Sequence, residues 1–256
     1  MSKSPLPRTP EWPPKSAPRL FVGEAIEAGQ GVRIEGNQAH YLSRVMRVSV
    51  GDTVILCDDV TGEWATEVTD VAKRDVVLTP ATLLRPREEV PDFWLCAALL
   101  KKDRFDLVLE KATELGVAAI KPVVTRRCVA DKLNADRARQ IVTEAAEQCA
   151  RTALPDVGEP TKLDTLLQGW PENRVLYFAD EEGGEPAADA FCYGEGPAAL
   201  LVGPEGGFTD EERTNIHALP FAHPISLGPR ILRGETAAIA GMAVWMAEAG
   251  DWIGEE

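Results

Sequence analysis

The chain has 256 residues with a formal net charge of −14, and 45% of its residues are hydrophobic. This composition suffices for a buried core, and the length favours one large or two modest domains. The longest uncharged candidate span, Thr236–Ala247, is shorter than the roughly 20 residues that a transmembrane helix needs. The first 18 residues contain six prolines and lack the apolar core of a signal peptide, which predicts a disordered leader over residues 1–18. These features argue against a membrane protein and against a secreted one.

The sequence contains five cysteines and three histidines. An odd number of cysteines without a C-x-x-C pair fits neither a disulfide framework nor a zinc site. None of the histidines lies at metal-ligand spacing from another ligand. We therefore expect packing or surface roles for all eight residues, and we predict a reduced, cytoplasmic protein without a metal.

The acidic charge is concentrated in the last third of the chain. Residues 175–256 carry 15 acidic and 3 basic residues, whereas the two preceding thirds are close to neutral. The acidic run within residues 180–195 is interspersed with Gly and Ala and predicts an exposed loop. Basic clusters elsewhere are either solvated surface or contacts for an anionic ligand. These clusters are Arg44 with Arg47, Lys73 with Arg74, Lys101 and Lys102 with Arg104, and Arg126 with Arg127.

The residues from Arg19 to about Leu84 show short β-rich runs separated by turn residues, a pattern that predicts a small barrel. The expected strands are Val32–Ile34, Thr53–Cys57, Trp64–Val68 and Val76–Leu78. Between the first two, His40–Met46 is expected to form a short helix that presents Arg44 and Arg47. The segment Arg85–Pro91, with two prolines, is predicted to be a linker.

From Asp92 onward, strand-like and helix-like patterns alternate, which predicts an α/β domain with a largely parallel sheet. Asp103 and Asn134 are expected to cap helices, and Thr209 with Glu212 forms a capping-box pattern. The second of these helices is expected to face Ala138, Ile141, Val142, Ala145 and Cys149 inward. The expected strands are Phe93–Leu100, Ala119–Val124, Val175–Ala179, Ala198–Val202 and Pro224–Leu227, and the expected last helix is Glu235–Ala249.

Two glycine-containing loops follow predicted strands, where ligands of open α/β sheets bind. Residues 201–208 read L-V-G-P-E-G-G-F, which is either a tight structural turn or a ligand loop; neither loop matches the dinucleotide or P-loop patterns. Residues 226–237 read S-L-G-P-R-I-L-R-G-E-T-A and contain Arg230 and Arg233. In so acidic a segment, these arginines either neutralise local acids or meet an anionic substrate.

The two loops together resemble the bacterial small-subunit ribosomal RNA (uracil-N3) methyltransferase family of the knotted SPOUT superfamily. Further stretches that carry the resemblance are residues 18–21, 40–47, 102–104, 111–117 and 144–152. The sequence departs from the family at Gly234, where a threonine is usual. The proline-rich leader and the acidic 180–195 loop also look like additions.

The resemblance implies an α/β SPOUT domain with a C-terminal trefoil knot over residues 85–256, preceded by a PUA-like β-barrel RNA-binding domain over residues 19–84. It implies an S-adenosylmethionine-dependent enzyme that methylates N3 of a uridine in small-subunit (16S) ribosomal RNA. The expected partner is that RNA or the 30S particle, and dimerisation through the knot domain is expected by the same resemblance.

The site residues that follow from this resemblance form three predicted groups. Arg230 and Arg233 are expected to hold the developing anion or a neighbouring phosphate, and Glu205 is either the base or a carboxylate that contacts the cofactor or caps the loop. The predicted cofactor-binding residues are Leu201, Val202, Gly203, Pro204, Glu205, Gly206, Ser226, Leu227, Gly228, Ile231 and Leu232. The predicted RNA-binding residues are Arg19, Arg44, Arg47, Lys102 and Arg104.

Three other functions remain open at this point. A methyltransferase for another RNA, such as transfer RNA, is the nearest alternative. A non-enzymatic RNA-binding protein would not need the paired glycine loops. A phosphate-binding metabolic enzyme would bind a nucleotide or sugar phosphate instead of S-adenosylmethionine.

Overall fold

The structure is a computed structural model that describes residues 17–192, 194 and 196–253. It contains two compact units. The first runs to Glu88 and also includes Ala150–Ala153, and the second comprises Glu89–Cys149 and the chain from Leu154 onward. Of the predicted disordered leader, residues 1–16 lie outside the described part of the chain. No helix in the described part is long and apolar enough to cross a membrane.

The first unit is a five-stranded sheet with a short helix. Its strand order is β1-β3-β4-β5-β2, in which β1 is parallel to β3 and the other pairs are antiparallel. Branched and aliphatic side chains from one face of these strands, such as Val54, Leu56 and Leu78, form a core with the buried Leu42. The elements are β1 (Arg19–Phe21), β2 (Val32–Glu35), α1 (Gly36–His40), a π-helical turn (Tyr41–Met46), β3 (Thr53–Asp58), β4 (Gly62–Val71) and β5 (Asp75–Pro86).

Two predictions for this unit need correction. The expected helix over His40–Met46 is the end of α1 followed by the π-helical turn, and it ends at Arg47, whose φ is +56°. Strand β5 extends to Pro86, so the start of the expected linker is in the sheet. The last residues of β5 pack against Gly62 at the start of β4. Gly62 has a φ of +117° and lies so close to the main chain of Arg85 and Pro86 that no side chain fits at this position.

The second unit is an α/β domain with an eight-stranded sheet in which every pair is parallel. The order is β11-β13-β10-β12-β6-β7-β8, and β9 also pairs with β7. Its elements are β6 (Phe93–Ala98), α2 (Lys102–Glu114), β7 (Ala119–Val124), α3 (Ala135–Cys149), β8 (Asp156–Val157), β9 (Thr161–Lys162), α4 (Leu163–Gln168), β10 (Val175–Ala179), β11 (Glu185–Pro186), α5 (Ala187–Cys192), β12 (Ala198–Val202), α6 (Asp210–His217), β13 (Ala222–Ser226) and α7 (Gly234–Glu248).

Helices cover both faces of this sheet, as its apolar strands require. One hydrophobic cluster packs α2, α3, α5 and α7 on one face, and a second packs α4 and α6 with Phe208 on the other. Strand β12 shows the pattern most clearly, because all five of its residues are buried and alternate between the two clusters. The predicted α/β class of the second unit, with its parallel sheet, is confirmed.

In this unit, the sequence predicts the caps of the helices more accurately than it predicts which side chains are buried. Asn134 Oδ1 accepts a hydrogen bond from the Arg137 amide (3.0 Å), and Thr209 with Glu212 forms the expected capping box. However, α2 begins one residue before Asp103, which lies in the first turn rather than at the cap. Cys149 is exposed, although its spacing placed it on the inward face of α3. The acidic run predicted to be a loop contains β11 and α5.

The strand order brings three loops together at the carboxyl ends of adjacent strands. Strand β10 lies between β13 and β12, and all three are parallel, so their carboxyl ends meet side by side. The loops that leave these ends are residues 180–184, 203–209 and 227–233. They place the two glycine loops of the sequence next to each other, with the acidic loop alongside.

Candidate active site

A cleft of about 330 Å³ lies where these three loops meet. Most of the predicted cofactor-binding residues line it, together with Arg230 from the second glycine loop. The predicted residues in its wall are Val202, Gly203, Pro204, Ser226, Leu227, Gly228, Ile231 and Leu232. Leu201, Glu205 and Gly206 are not among its lining residues. Leu201 is fully buried in the core, whereas Glu205 and Gly206 are exposed.

The first glycine loop (residues 203–209) is packed too tightly for side chains at two positions. A Cβ at Gly203 would lie 2.8 Å from the Phe208 ring, and a Cβ at Gly207, whose φ is +66°, would lie 2.5 Å from the Glu181 carboxylate. Both residues line the cleft. Glycine at these two positions therefore lets the loop pack against Phe208 and Glu181, which also line the cleft.

The β7–α3 loop holds the first glycine loop from outside. Arg127 Nη1 donates hydrogen bonds to the main-chain oxygens of Gly206 (2.9 Å) and Phe208 (3.0 Å). The neighbouring Arg126 amide donates to Glu212 Oε1 (2.8 Å), the carboxylate of the capping box. This basic pair was one of four candidate ligand clusters in the sequence. The structure gives it a supporting role.

The loop after β10 supplies an acidic wall that sequence reasoning missed. Asp180 lines the cleft although its carboxylate is only 1% exposed. It accepts hydrogen bonds from the Glu182 amide (3.0 Å), Arg213 Nε (3.0 Å) and His217 Nε2 (2.8 Å). Burial raises the pKa of Asp180, but these three donors and the charge of Arg213 outweigh it and hold the pKa below its usual value. The signal in the sequence that could have indicated Asp180 as a site residue is its position directly after a parallel strand.

The second glycine loop (residues 227–233) leads into α7 and places its two arginines in different cavities. Arg230 is exposed and lines the cleft. Arg233 is the N-cap residue of α7, makes no side-chain capping bond and lines a second cavity. Behind it, Gly234 packs against the first glycine loop, since a Cβ there would lie 3.1 Å from Gly203 O and 3.0 Å from Leu100 Cδ2. A threonine at this position would require Leu100 to shift.

The second cavity, of about 490 Å³, adjoins the cleft along Ile231 and Leu232, which line both. Its other lining residues are Lys101, Arg104, Val129, Glu205 and Arg233. Three cations and one carboxylate therefore surround a partly apolar space. Two residues predicted to be catalytic, Glu205 and Arg233, come together here and not in the cleft.

The predicted RNA-binding residues divide between the units. In the first unit, Arg19 is paired with the buried Glu63, whereas Arg44 and Arg47 are exposed on and just after the π-helical turn. In the second unit, Lys102 is exposed at the start of α2 and Arg104 is paired with the carboxylate of Glu235. Arg19 and Arg104 thus have structural partners, and the other three are free of ion pairs among the described residues.

Comparison with known proteins identifies the family. A family model described as an RNA methyltransferase domain matches residues 87–246, and a model described as an RNA methyltransferase PUA domain matches residues 34–80. The chain belongs to this RNA methyltransferase family. The family predicted from the glycine loops is thereby confirmed.

Relatives with this family's architecture match over most of their length. The ribosomal RNA small subunit methyltransferase E of Synechocystis is 33% identical over 88% of this chain and 76% of its own. The protein of the same name from Rickettsia conorii is 28% identical over 88% and 93%. A crystal structure of the Neisseria gonorrhoeae ribosomal RNA small subunit methyltransferase E, bound to S-adenosyl methionine, has a TM-score of 0.84 at 28% identity and covers 92% of this chain and 99% of that chain.

Proposed function

We propose that this protein is an S-adenosylmethionine-dependent methyltransferase that modifies N3 of a specific uridine in small-subunit (16S) ribosomal RNA. The observation that carries this proposal is the meeting of the two glycine loops in one cleft, within a chain of the RNA methyltransferase family. Relatives named for small-subunit ribosomal RNA, matched over 93% and 76% of their own lengths, support the choice of RNA.

The lining of the cleft fits the chemistry of S-adenosylmethionine. Gly203 and Gly207 let the first glycine loop pack against the Phe208 ring and the Glu181 carboxylate, two groups that also line the cleft. Apolar side chains, including Leu227 and Ile231, offer contacts for a flat adenine, and main-chain groups of both loops offer hydrogen bonds. On the opposite wall, Glu181 and Glu182 complement the positive charge of the cofactor's sulfonium and amino groups.

In this proposal, Val202, Gly203, Pro204, Ser226, Leu227, Gly228, Ile231 and Leu232 hold the cofactor. When bound, S-adenosylmethionine supplies an electrophilic methyl group on sulfur. The protein itself must align the uracil with the methyl group and remove the proton from N3, because N3 is protonated at neutral pH. A base and a stabilised anion are both needed.

Arg230 and Arg233 are proposed to stabilise the developing negative charge on the uracil or to hold the adjacent phosphate. An arginine stays protonated and cannot serve as the base, but its planar guanidinium binds an anion through two donors. Glu205 is the proposed proton acceptor. Its place in the second cavity, beside Arg233 and away from the lining of the cleft, favours this role over a cofactor contact.

Two further properties belong to the same proposal. The enzyme is proposed to act in the cytoplasm as a homodimer formed through its C-terminal domain, as the SPOUT resemblance implies. Trp252 and Ile253, which follow α7, are exposed apolar residues in that domain. Its substrate is proposed to be a complete or partly assembled 30S particle, because a chain with a net charge of −14 attracts naked RNA weakly.

The decisive experiment is mass mapping of RNA modifications in a strain without this gene, followed by methylation of its 30S particles with the purified protein. We expect one uridine of 16S ribosomal RNA to lose a methyl group in the strain and to regain it in vitro. A change confined to transfer RNA would replace the proposed substrate. A protein that fails to bind S-adenosylmethionine in calorimetry would instead favour a non-enzymatic RNA-binding role.

A further inference from the structure

The second cavity contains an arginine whose position is fixed by a buried carboxylate. Glu235, in the first turn of α7, is 8% exposed and accepts a hydrogen bond on Oε1 from Arg104 Nη1. Glu235 Oε2 is buried and has no hydrogen-bond partner among the described residues. A buried carboxylate that gives up water for a single cation is energetically costly.

The ion pair with Glu235 leaves Arg104 with free donors for a ligand. A guanidinium has five N–H donors, and the contact to Glu235 uses one of them. Arg104 is partly exposed and lines the second cavity. Glu235 therefore restricts the arginine to one orientation while donors remain for a ligand.

Two more cations share this cavity without being neutralised. Lys101 and Arg233 are exposed, and neither forms an ion pair within the described residues. The carboxylate of Glu205 is the only acidic group in the lining. Lys101 and Arg104, which come from outside the acidic last third of the chain, together with Arg233 outnumber the single acidic group, so the lining of this cavity is net positive. It suits a ligand with several anionic oxygens, such as a phosphodiester.

The cavity also has apolar walls that an inorganic anion would not need. Val129 is 61% exposed and Ile231 is 87% exposed, and both contribute to the lining. Exposed aliphatic side chains of this kind are suited to contact with the flat face of a base. The combination of cations with apolar surface indicates a nucleotide within an RNA chain.

We propose that the second cavity binds the target nucleotide, with its phosphate on Lys101 and Arg104 and its base against Val129 and Ile231. Glu235 acts as a positioning residue through Arg104. This inference rests on the proposed function, because the base bound here would lie beside the cleft that holds the cofactor. Glu235 was not among the residues expected from the sequence, and Lys101 was expected only as part of the basic cluster with Lys102 and Arg104.

The test compares full-length variants in the binding of 30S particles and of S-adenosylmethionine. The variants are Lys101→Ala, Arg104→Gln, Glu235→Gln and the double variant Arg104→Gln/Glu235→Gln. Arg139→Ala is the matched control, because Arg139 is an exposed residue of α3 that lines neither cavity. The 30S affinity is measured by equilibrium binding over a series of salt concentrations, and the cofactor affinity by calorimetry.

We expect Lys101→Ala and Arg104→Gln to weaken 30S binding at least about fivefold and to reduce the slope of log affinity against log salt by about 1, the effect of one lost phosphate contact. Cofactor affinity should stay within about twofold of wild type. Glu235→Gln should reproduce the effect of Arg104→Gln, and the double variant should be no weaker than Arg104→Gln alone, since both changes remove the same contact.

Two results would overturn the inference. One is wild-type 30S affinity and salt slope in both Lys101→Ala and Arg104→Gln; the other is additive losses in the double variant, which would separate Glu235 from Arg104. If melting curves show that Glu235→Gln does not fold, Arg104→Lys replaces it, because a lysine keeps the charge but not the planar fork and should restore less than half of the lost affinity. Wild-type protein that binds neither cofactor nor 30S particles would instead refute the proposed function.

Discussion

The guanidinium of Arg127 donates a hydrogen bond to the main-chain oxygen of Gly206 at a distance of 2.9 Å. A Cβ added to Gly206 would lie 3.4 Å from Arg127 Cβ, so a side chain at this position would be in van der Waals contact with Arg127. They are 79 residues apart in the chain. The conformation of the first glycine loop therefore depends on a side chain from a different part of the sheet.

Arg127→Ala should weaken S-adenosylmethionine binding by about tenfold. The change removes two charge-assisted hydrogen bonds, to Gly206 and Phe208, and lets the loop move before the ligand arrives. Tenfold corresponds to about 1.4 kcal/mol. Calorimetric titration measures the affinity, with Arg139→Ala as the control. An unchanged dissociation constant would show that the loop holds its conformation without Arg127.

Thr209→Val should lower the free energy of unfolding by about 1 kcal/mol. The hydroxyl of Thr209 accepts a hydrogen bond from the Glu212 amide (3.2 Å) at the start of α6, and valine has the same shape without the acceptor. Urea unfolding followed by circular dichroism provides the measurement. Thr209→Ser keeps the hydroxyl and should lose less than half as much. An unchanged free energy of unfolding in Thr209→Val would show that the hydroxyl does not stabilise α6, because valine keeps the methyl group that serine loses.

Arg233→Ala should reduce turnover at least about tenfold while the fold and cofactor affinity persist. Arg233 is exposed and makes no ion pair or capping bond among the described residues, so its removal leaves no partner unsatisfied. A tenfold loss equals about 1.4 kcal/mol of transition-state stabilisation. Methyl transfer from labelled cofactor to 30S particles measures turnover. Near-wild-type turnover in both Arg233→Ala and Arg233→Lys would remove this residue from the mechanism.

Acid should destabilise the second unit through Asp180. Its pKa is lower in the folded protein than the usual value of 3.8, so the carboxylate contributes stability above that value. This contribution is lost as the pH falls from about 4 through the folded-state pKa. We expect the difference in unfolding free energy between wild type and Asp180→Asn to shrink over that range. Urea titrations at several pH values measure it. The exposed Asp70 provides the matched control substitution, Asp70→Asn.

The double variant Arg44→Ala/Arg47→Ala should weaken 30S binding and reduce its salt slope by up to about 2. Both side chains are exposed and unpaired among the described residues, next to the exposed Val45 and Met46. Cofactor affinity should not change, because the cleft is in the other unit. Binding isotherms at four salt concentrations give the slope. A slope equal to that of wild type would place the RNA contacts of the first unit elsewhere.

The sequence predicted the parts of this molecule that depend on neighbouring residues. Thr209 and Glu212 are three residues apart, and Asn134 lies three residues before the amide it caps, so local spacing was enough. The glycine loops were found for the same reason. Asp180 was assigned to an exposed loop because its burial depends on Arg213, 33 residues away.

The separation of Arg230 from Arg233 shows the same limit. The two residues are three positions apart and were expected to act together, but Arg230 lines the cleft, whereas Arg233, immediately before α7, lines the second cavity. Gly234, the first residue of α7, packs against Gly203, and local sequence patterns do not contain that contact. Glu235 was not predicted as a site residue, and Lys101 was noted only within a basic cluster, because their environment is assembled by α2, α7 and both glycine loops.

The first unit takes Ala150–Ala153 from the middle of the sequence that otherwise builds the second. Arg85 Nη2 donates to Ala150 O (2.6 Å), and Glu88 Oε1 accepts from the Thr152 amide (2.7 Å). A gene fragment that ends at Glu88 would therefore leave these contacts behind. We therefore expect that a single crossover which exchanges the PUA domain of this chain between genes lowers its stability. Recombination should favour genes in which the sequences of both units are inherited together.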